Sequence, residues 1–357
     1  GKTEETFPVF LDNKENKFSF RLKNKPLFLR LDPDFEIPCK KIKLDLQRPM
    51  LSEQLKKDPD PIGRLEAASA LVEKPSTEEI KLLSERLNKE KFWGVSIRIA
   101  SALKRIGGDL ARDGLLKGVK HDCPKVRYGV ASALGGFTRD EKVSKALRQL
   151  AVGDPSYRVE AAALRALGRI KSHDSREFLE KTLDRKTYND MARIAIYAAL
   201  AELEDQDSWD VFEKGAEYGS PKLSRSQAMK GLAALAKRFE SKKGRALELL
   251  ARFARETRGT PAAIFRGKLG AIQALQGLDD LAAIPILRKL SDNEPDGRLQ
   301  RRAEDAISAL RSSAKKPKEI SEMRSELDDV LKENKSFRDR LDKIERTKEA
   351  KSKKKNK

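Results

Sequence analysis

Residues 126–135 read VRYGVASALG, and this stretch decides the fold. Its small and apolar residues recur every three to four positions, which predicts an amphipathic helix with a closely packing face. A turn with Asp122 and Pro124 comes just before it, and proline is favoured at the start of a helix. Because an apolar helical stretch precedes that turn, the chain here forms a pair of helices, of which residues 126–135 are the second.

The same second helix recurs along the chain. The Leu position of its Ala-Leu pair is occupied by Leu71, Leu103, Leu134, Leu167, Leu200, Leu232, Leu275 and Ile307. The spacings are 32, 31, 33, 33, 32, 43 and 32 residues, and the single long one reflects an insertion around Lys237–Thr260. Such a period indicates stacked helix pairs, because one pair cannot bury its apolar face alone. Gly107, Gly135 and Gly168 lie where left-handed helix C-caps are expected.

The Asp…Val-Arg-x3-Ala-x-Ala-Leu-Gly pattern resembles HEAT repeats over about residues 50–310. The resemblance implies a mainly α fold, a right-handed α-α superhelix of about eight repeats. We place this HEAT-like solenoid at residues 49–310.

A different pattern precedes the repeats. Residues 1–48 alternate apolar and polar side chains, as in Phe18, Phe20 and Leu22 and again in Leu27, Leu29 and Leu31. Alternation with period 2 is typical of strands with one buried face. We therefore expect a small β-sheet segment, a partial β-sandwich, before the solenoid.

The tail repeats with a third period. Apolar residues spaced 3 and 4 apart predict a heptad, coiled-coil-like helix over 311–347. Its seam comprises Ile320, Met323, Leu327, Val330, Asn334, Phe337, Leu341 and Ile344. A lone Asn at an a position favours two strands, hence a possible homodimer. Residues 348–357 hold six lysines, which predicts a basic disordered tail.

Composition narrows the function classes. The 357 residues carry a net charge of +20, and Cys39 and Cys123 are the only cysteines. Two cysteines exclude a disulfide scaffold, and no apolar stretch approaches the length of a membrane span. These features lead us to expect a cytoplasmic protein. The chain opens with Gly1 rather than Met, which favours a piece of a longer protein.

Catalytic and metal-binding motifs are missing from the sequence. His121 and His173 both lie in predicted turns and belong to no His-Glu-x-x-His pair. Cys123 beside His121 makes at most half of a metal site. We therefore expect no catalytic residue, no metal ligand and no cofactor within this chain.

Basic residues recur at the start of the second helices. Candidates for a concave binding face are Arg64, Arg127, Arg193, Arg225 and Lys268, with Arg98, Arg158 and Arg266 within two residues of that position. They could bind an acidic peptide, a substrate carboxylate or nucleic acid. Alternatively, the recurring Arg binds turn carbonyls and acids of the repeats as a structural ladder. The aromatic residues are spread over several repeats, and Trp93 and Trp209 are expected to pack between them.

The order of segments carries a second resemblance. Lys25–Pro33, followed by Gly63–Leu71 and Phe92–Val95, is similar to the C-terminal part of aminopeptidase N-type zinc metallopeptidases. That resemblance implies a β-sandwich followed by a helical domain that caps the catalytic cleft and limits access of the peptide substrate. The catalytic domain and its zinc would lie outside this chain, which would contact its own catalytic domain or the peptide.

Three functions therefore stay open. The first is the non-catalytic C-terminal portion of such an aminopeptidase. The second is a HEAT-repeat scaffold for protein interactions without enzymatic activity, and the third is a basic HEAT-repeat protein that binds nucleic acid.

Overall fold

The computed structural model describes residues 4–34, 36–37 and 44–314, together with Leu327 and Val330. In this part of the chain the fold is mainly α, with sixteen α-helices joined by short turns. The chain divides into two compact units, unit 1 (Gly1–Leu203) and unit 2 (Glu204–Lys357). This division falls within the predicted solenoid.

Unit 1 contains five helix pairs. They are α1 (Arg48–Lys57) with α2 (Pro61–Ala70), α3 (Thr77–Lys89) with α4 (Trp93–Ile106), α5 (Gly108–Lys117) with α6 (Pro124–Leu134), α7 (Glu141–Gly153) with α8 (Tyr157–Ile170), and α9 (Ser175–Lys181) with α10 (Met191–Leu203). The two helices of each pair contact each other, and α2, α4, α6, α8 and α10 each contact the next. We call these five the second-helix row.

Unit 2 contains three further pairs. They are α11 (Trp209–Ala216) with α12 (Arg225–Arg238), α13 (Glu240–Ala254) with α14 (Pro261–Leu278), and α15 (Ile284–Asn293) with α16 (Gly297–Ala314). Again α12 contacts α14 and α14 contacts α16. Both units therefore stack their second helices side by side, as the repeat spacing predicts. The hand of the superhelix stays a prediction.

The predicted Leu positions form the core. Leu71, Leu103, Leu134, Leu167 and Leu200 in unit 1 have no exposed surface, and Leu232, Leu275 and Ile307 are buried in unit 2. Local signals set where the helices begin. Ser76 and Glu79 form a reciprocal capping box at α3, and the side chains of Asp140 and Thr260 cap α7 and α14.

The predicted glycine caps are only partly correct. Gly107 ends α4 with a positive φ of 70°, but its ψ of −169° lies outside the left-handed α region. Gly135 is right-handed and Gly168 lies inside α8. The left-handed cap of α8 is Lys171 instead. Gly168 is needed for packing, because a Cβ there would lie 2.5 Å from the carbonyl oxygen of Ala199. The missing side chain therefore allows α8 and α10 to approach closely.

The predicted β-sheet segment is wrong for the described residues. Residues 4–34, 36–37 and 44–47 contain no strand, and residues 4–34 make no backbone–backbone hydrogen bond to another described residue. Phe18, Phe20 and Leu22 are exposed, although Arg30 forms an ion pair with Asp60 at the start of α2. Alternation is insufficient for a strand, because each strand needs a neighbour to satisfy its backbone groups. The outer bounds of the predicted domains stay predictions.

We expect Gly168→Ala to destabilise the protein by about 1–3 kcal/mol, because the added methyl group overpacks the contact with Ala199. Gly244→Ala is the matched control, since Gly244 lies in α13 with no atom within 4 Å of an added Cβ. It should stabilise the protein by about 0.5–1 kcal/mol. Urea denaturation measures both, and equal effects would contradict the close approach of α8 and α10.

Candidate binding surface

Cations at the start of two second helices bind carboxylates of the following repeat. Arg64 donates from Nε and Nη2 to Glu90 at 3.0 and 2.8 Å, and Arg127 donates to Asp154 at 2.6 and 3.0 Å. In both cases Nη1 also donates to two carbonyl oxygens of the preceding turn. We call the residue seven before each Leu position the rung position, because at Arg64 and Arg127 it joins neighbouring repeats.

Three other rung positions have different side chains and different partners. Lys268 donates to Glu294 at 2.6 Å. Glu160 reverses the charges and pairs with Arg185. Gln300 is neutral and donates only to the carbonyl oxygen of Glu294, at 2.7 Å. The rung position is therefore a structural joint whose chemistry differs from repeat to repeat.

Arg193 and Arg225 bind groups of their own repeat instead. Arg193 donates to the carbonyl oxygen of Leu183 at 3.2 Å and to Asp190 at 2.9 Å. Arg225 donates to the carbonyl oxygen of Ala216 at 2.7 Å. All five predicted cations at rung positions thus have intramolecular partners of the kind that the ladder interpretation describes. A binding role for them stays a prediction.

The three candidate arginines within two residues of a rung position, unlike the rung cations, are exposed. Arg98 on α4, Arg158 on α8 and Arg266 on α14 are exposed. Within the described part of the chain they make no hydrogen bond or ion pair. Two of them, Arg98 and Arg158, belong to the second-helix row of unit 1. Their charges are therefore available to an external group.

Exposed aromatic rings accompany these arginines. Trp93, Tyr128 and Tyr157 lie in the first half of α4, α6 and α8, and more than 40 % of each residue is exposed. Lys125 covers the ring of Trp93, with its Nζ 4.2 Å from the ring centroid. Trp93 was expected to pack between repeats and is instead exposed, whereas Trp209 is buried.

The helices α4 and α6 touch beside one of these arginines. A Cβ on Gly129 would lie 2.9 Å from the side chain of Ile97, so the two helices are closely apposed there. Arg98 and Tyr128 are the exposed residues adjacent to that contact. A free cation and an aromatic ring therefore stand at the same level of neighbouring helices, a combination that sequence spacing alone did not identify.

The histidines have structural positions. His121 accepts a hydrogen bond at Nδ1 from the backbone N–H of Cys123, at 3.0 Å, which closes the turn before α6. His173 is exposed beside Asp174. Among the described residues no cluster of three or more metal-binding side chains occurs. The turn interpretation of both histidines matches this geometry.

Most of the predicted coiled-coil seam lies outside the described residues. Its described members, Leu327 and Val330, are helical and more than half exposed. The seam and the basic tail stay predictions. Cys39 also lies outside the described residues. No described helix is both long and apolar enough to span a bilayer.

We expect Arg127→Gln to destabilise the protein by about 3–5 kcal/mol, because it leaves the buried carboxylate of Asp154 without its charged partner. Arg98→Gln, an exposed arginine on the same row, should change the unfolding free energy by less than about 0.5 kcal/mol. Chemical denaturation of both variants measures the difference. A small effect of Arg127→Gln would show that the rung is dispensable.

The pH dependence of stability should depend on Glu90. Burial raises the pKa of its carboxyl, but the hydrogen bonds from Arg64 and from the backbone N–H of Phe92 outweigh burial and hold the pKa below 4.5. A carboxyl with a lower pKa in the folded state stabilises above its unfolded pKa and loses that contribution as the pH falls.

We therefore expect Glu90→Gln to be less stable at pH 7 and to lose less stability than the wild type between pH 5 and pH 3. Glu66→Gln, on the exposed side of α2, is the control and should follow the wild type. Urea denaturation across this range measures the slopes, and parallel slopes for all three proteins would rule out the contribution of Glu90.

The family profile described as HEAT repeats matches residues 48–123, 112–201 and 145–233. No sequence of a curated protein matches the chain significantly. Human deoxyhypusine hydroxylase is similar in structure, with 18 % identity, a TM-score of 0.33, and coverage of 74 % of this chain and 96 % of the other.

Two further solved structures are similar. The complex of CpcE and CpcF of phycocyanin lyase from Nostoc sp. PCC7120 matches with 18 % identity and a TM-score of 0.40, over 77 % of this chain and 98 % of the other. Kap121p bound to Nup53p matches with 14 % identity and a TM-score of 0.44, over 78 % of this chain and 34 % of the other.

The resemblance to aminopeptidase N-type metallopeptidases is wrong. The matching family is that of HEAT repeats, and the described residues before α1 form no β-sandwich. Gly63–Leu71 and Phe92–Val95 belong to the helical repeat and therefore do not distinguish that family, and Lys25–Pro33 lies in the segment before α1, where the structure has no strand. The implied zinc, peptide cleft and catalytic domain lose their support.

The HEAT-repeat matches together cover residues 48–233, 186 of the 357 residues. Their bounds begin at α1 and include the rung positions of Arg64 and Arg127. The chain belongs to the HEAT-repeat family.

Proposed function

We propose that this chain is a protein-interaction scaffold that binds an acidic segment of a partner protein along the second-helix row of unit 1. The observation that carries the proposal is that Arg98 and Arg158 are exposed and without an ion pair in the described residues. Arg64 and Arg127 on the same row are occupied by Glu90 and Asp154. Of these four arginines, Arg98 and Arg158 can therefore bind carboxylates of a partner without losing an ion pair that joins the repeats.

The neighbouring rings support a protein partner. Tyr128 and Tyr157 offer exposed apolar surface beside the two arginines, and interfaces are enriched in tyrosine, tryptophan and arginine. A segment of alternating acidic and apolar residues would pair its carboxylates with the arginines and place its apolar side chains on the rings.

The test measures binding of a fluorescein-labelled peptide rich in Glu, Asp and Leu by anisotropy at about 50 mM salt. Double charge reversal, Arg98→Glu with Arg158→Glu, should weaken binding at least about tenfold, because two attractive contacts become repulsive. The matched control is Lys81→Glu with Lys145→Glu, which makes the same charge change on the exposed first helices α3 and α7. The control should bind within about twofold of the wild type.

Two outcomes would overturn the proposal. Equal losses in both double variants would show that only net charge matters. Tighter binding of a single-stranded oligonucleotide, with an affinity that falls steeply with salt, would instead favour the nucleic-acid function.

A further inference from the structure

We propose that unit 2 contains a separate carboxylate-binding site at Arg225, the first residue of α12, for an acidic side chain of a partner protein. The site goes beyond the proposed function, because it shares no residue with the Arg98–Arg158 surface and lies in the other unit.

Arg225 is a buried cation with unused hydrogen-bonding capacity. Only 8 % of the residue is exposed, and its one hydrogen bond in the described structure runs from Nε to the carbonyl oxygen of Ala216. Its Nη2 is buried without a hydrogen-bond partner among the described residues. A buried guanidinium without partners is costly, so an acceptor at the end of its fork would be favourable.

The surroundings hold this guanidinium in place. The ring of Phe253 lies 5.4 Å from its Cζ, and a Cβ on Gly267 would come within 3.3 Å of its Nη1. Burial lowers the pKa of Arg225 from its usual value. The side chain is thus fixed between α13 and α14 rather than free to turn into solvent.

The carboxylate that would complete this rung is replaced by a cation. At other rungs the acid is the residue that directly follows a first helix, as in Asp154 after α7 and Glu294 after α15. The residue that follows α13 is Arg255. The position that supplies the acid in those rungs therefore holds no carboxylate after α13.

The nearest acids are occupied by other arginines. Glu256 and Glu217 act on Arg225 electrostatically, but Arg258 binds Glu256 at 2.7 Å and Arg252 binds Glu217. The hydrogen bonds from Arg258 lower the pKa of Glu256 to about 2. Both acids are therefore engaged by arginines other than Arg225, and neither accepts a hydrogen bond from its Nη2 in the described structure.

A carboxylate is the ligand that this position accepts elsewhere in the chain. Arg64, Arg127 and Lys268 all bind carboxylates from their rung positions. The start of the fourteen-residue α12 adds the positive end of a helix dipole. The carboxylate of an Asp or Glu side chain of a partner would therefore accept a hydrogen bond from Nη2 of Arg225 and balance its positive charge.

The test follows thermal unfolding of the full chain in sodium acetate and in sodium chloride at equal ionic strength, up to about 200 mM. Acetate that binds the folded state should raise the melting temperature by about 2 °C over chloride. Arg225→Gln should abolish this gain. Arg266→Gln, an exposed arginine on α14, is the matched control and should keep it.

Several results would overturn the proposal. An equal gain in Arg225→Gln and wild type, or no gain over chloride, would show that Arg225 binds no carboxylate. An equal gain in sodium phosphate would assign a general oxyanion site instead. A gain that appears only in Glu256→Gln would show that Glu256 already fills the site.

Two further variants serve as controls. Arg225→Lys keeps the charge without the fork and should lose most of the gain. If neither variant folds, a wild-type protein that gains no stability in acetate over chloride still overturns the proposal. The acetate gain should persist in the Arg98→Glu and Arg158→Glu double variant, so failure of either proposal is recognised separately.

Discussion

The close packing of each second helix against the next is the constraint on which the rest of this structure depends. A single helix pair has too little apolar surface to be stable alone, so every repeat must bury its Leu position against its neighbours. Small residues make that approach possible. Gly168 meets the backbone of Ala199 in unit 1, and Gly270 meets Ser226 in unit 2. At these contacts a larger side chain would separate the helices and expose the core.

The polar joints between repeats follow from the same packing. When second helices lie side by side, the residue that ends one first helix comes close to the start of the preceding second helix. Bidentate ion pairs at Arg64 and Arg127 satisfy the turn carbonyls and the carboxylates together. The joint tolerates exchange, since Glu160 with Arg185 reverses the charges. The basic residues therefore fall into two groups, cations that join the repeats and cations that are free to bind an external group.

The incorrect expectations have one physical cause. Alternation in residues 18–31 describes a strand that would have one apolar face, but a strand forms only where another strand satisfies its backbone. No such neighbour occurs in the described residues. The motifs attributed to aminopeptidases were likewise local, because the Arg and the Ala-Leu pair serve the packing of any HEAT repeat. Local patterns predicted each helix but not what surrounds it.

The sequence by itself determined the helical repeat and the buried Leu positions, because these follow from periods of 3.6 and about 32 residues. It also placed a cation at five rung positions and three arginines nearby. Only the tertiary structure decided which cations are occupied, since the partners of Arg64 and Arg127 lie 26 and 27 residues further along the chain. It also showed that Gly168 serves packing rather than a cap and that Arg225 binds no carboxylate of the described residues. These properties depend on groups brought together by stacking, which no local pattern encodes.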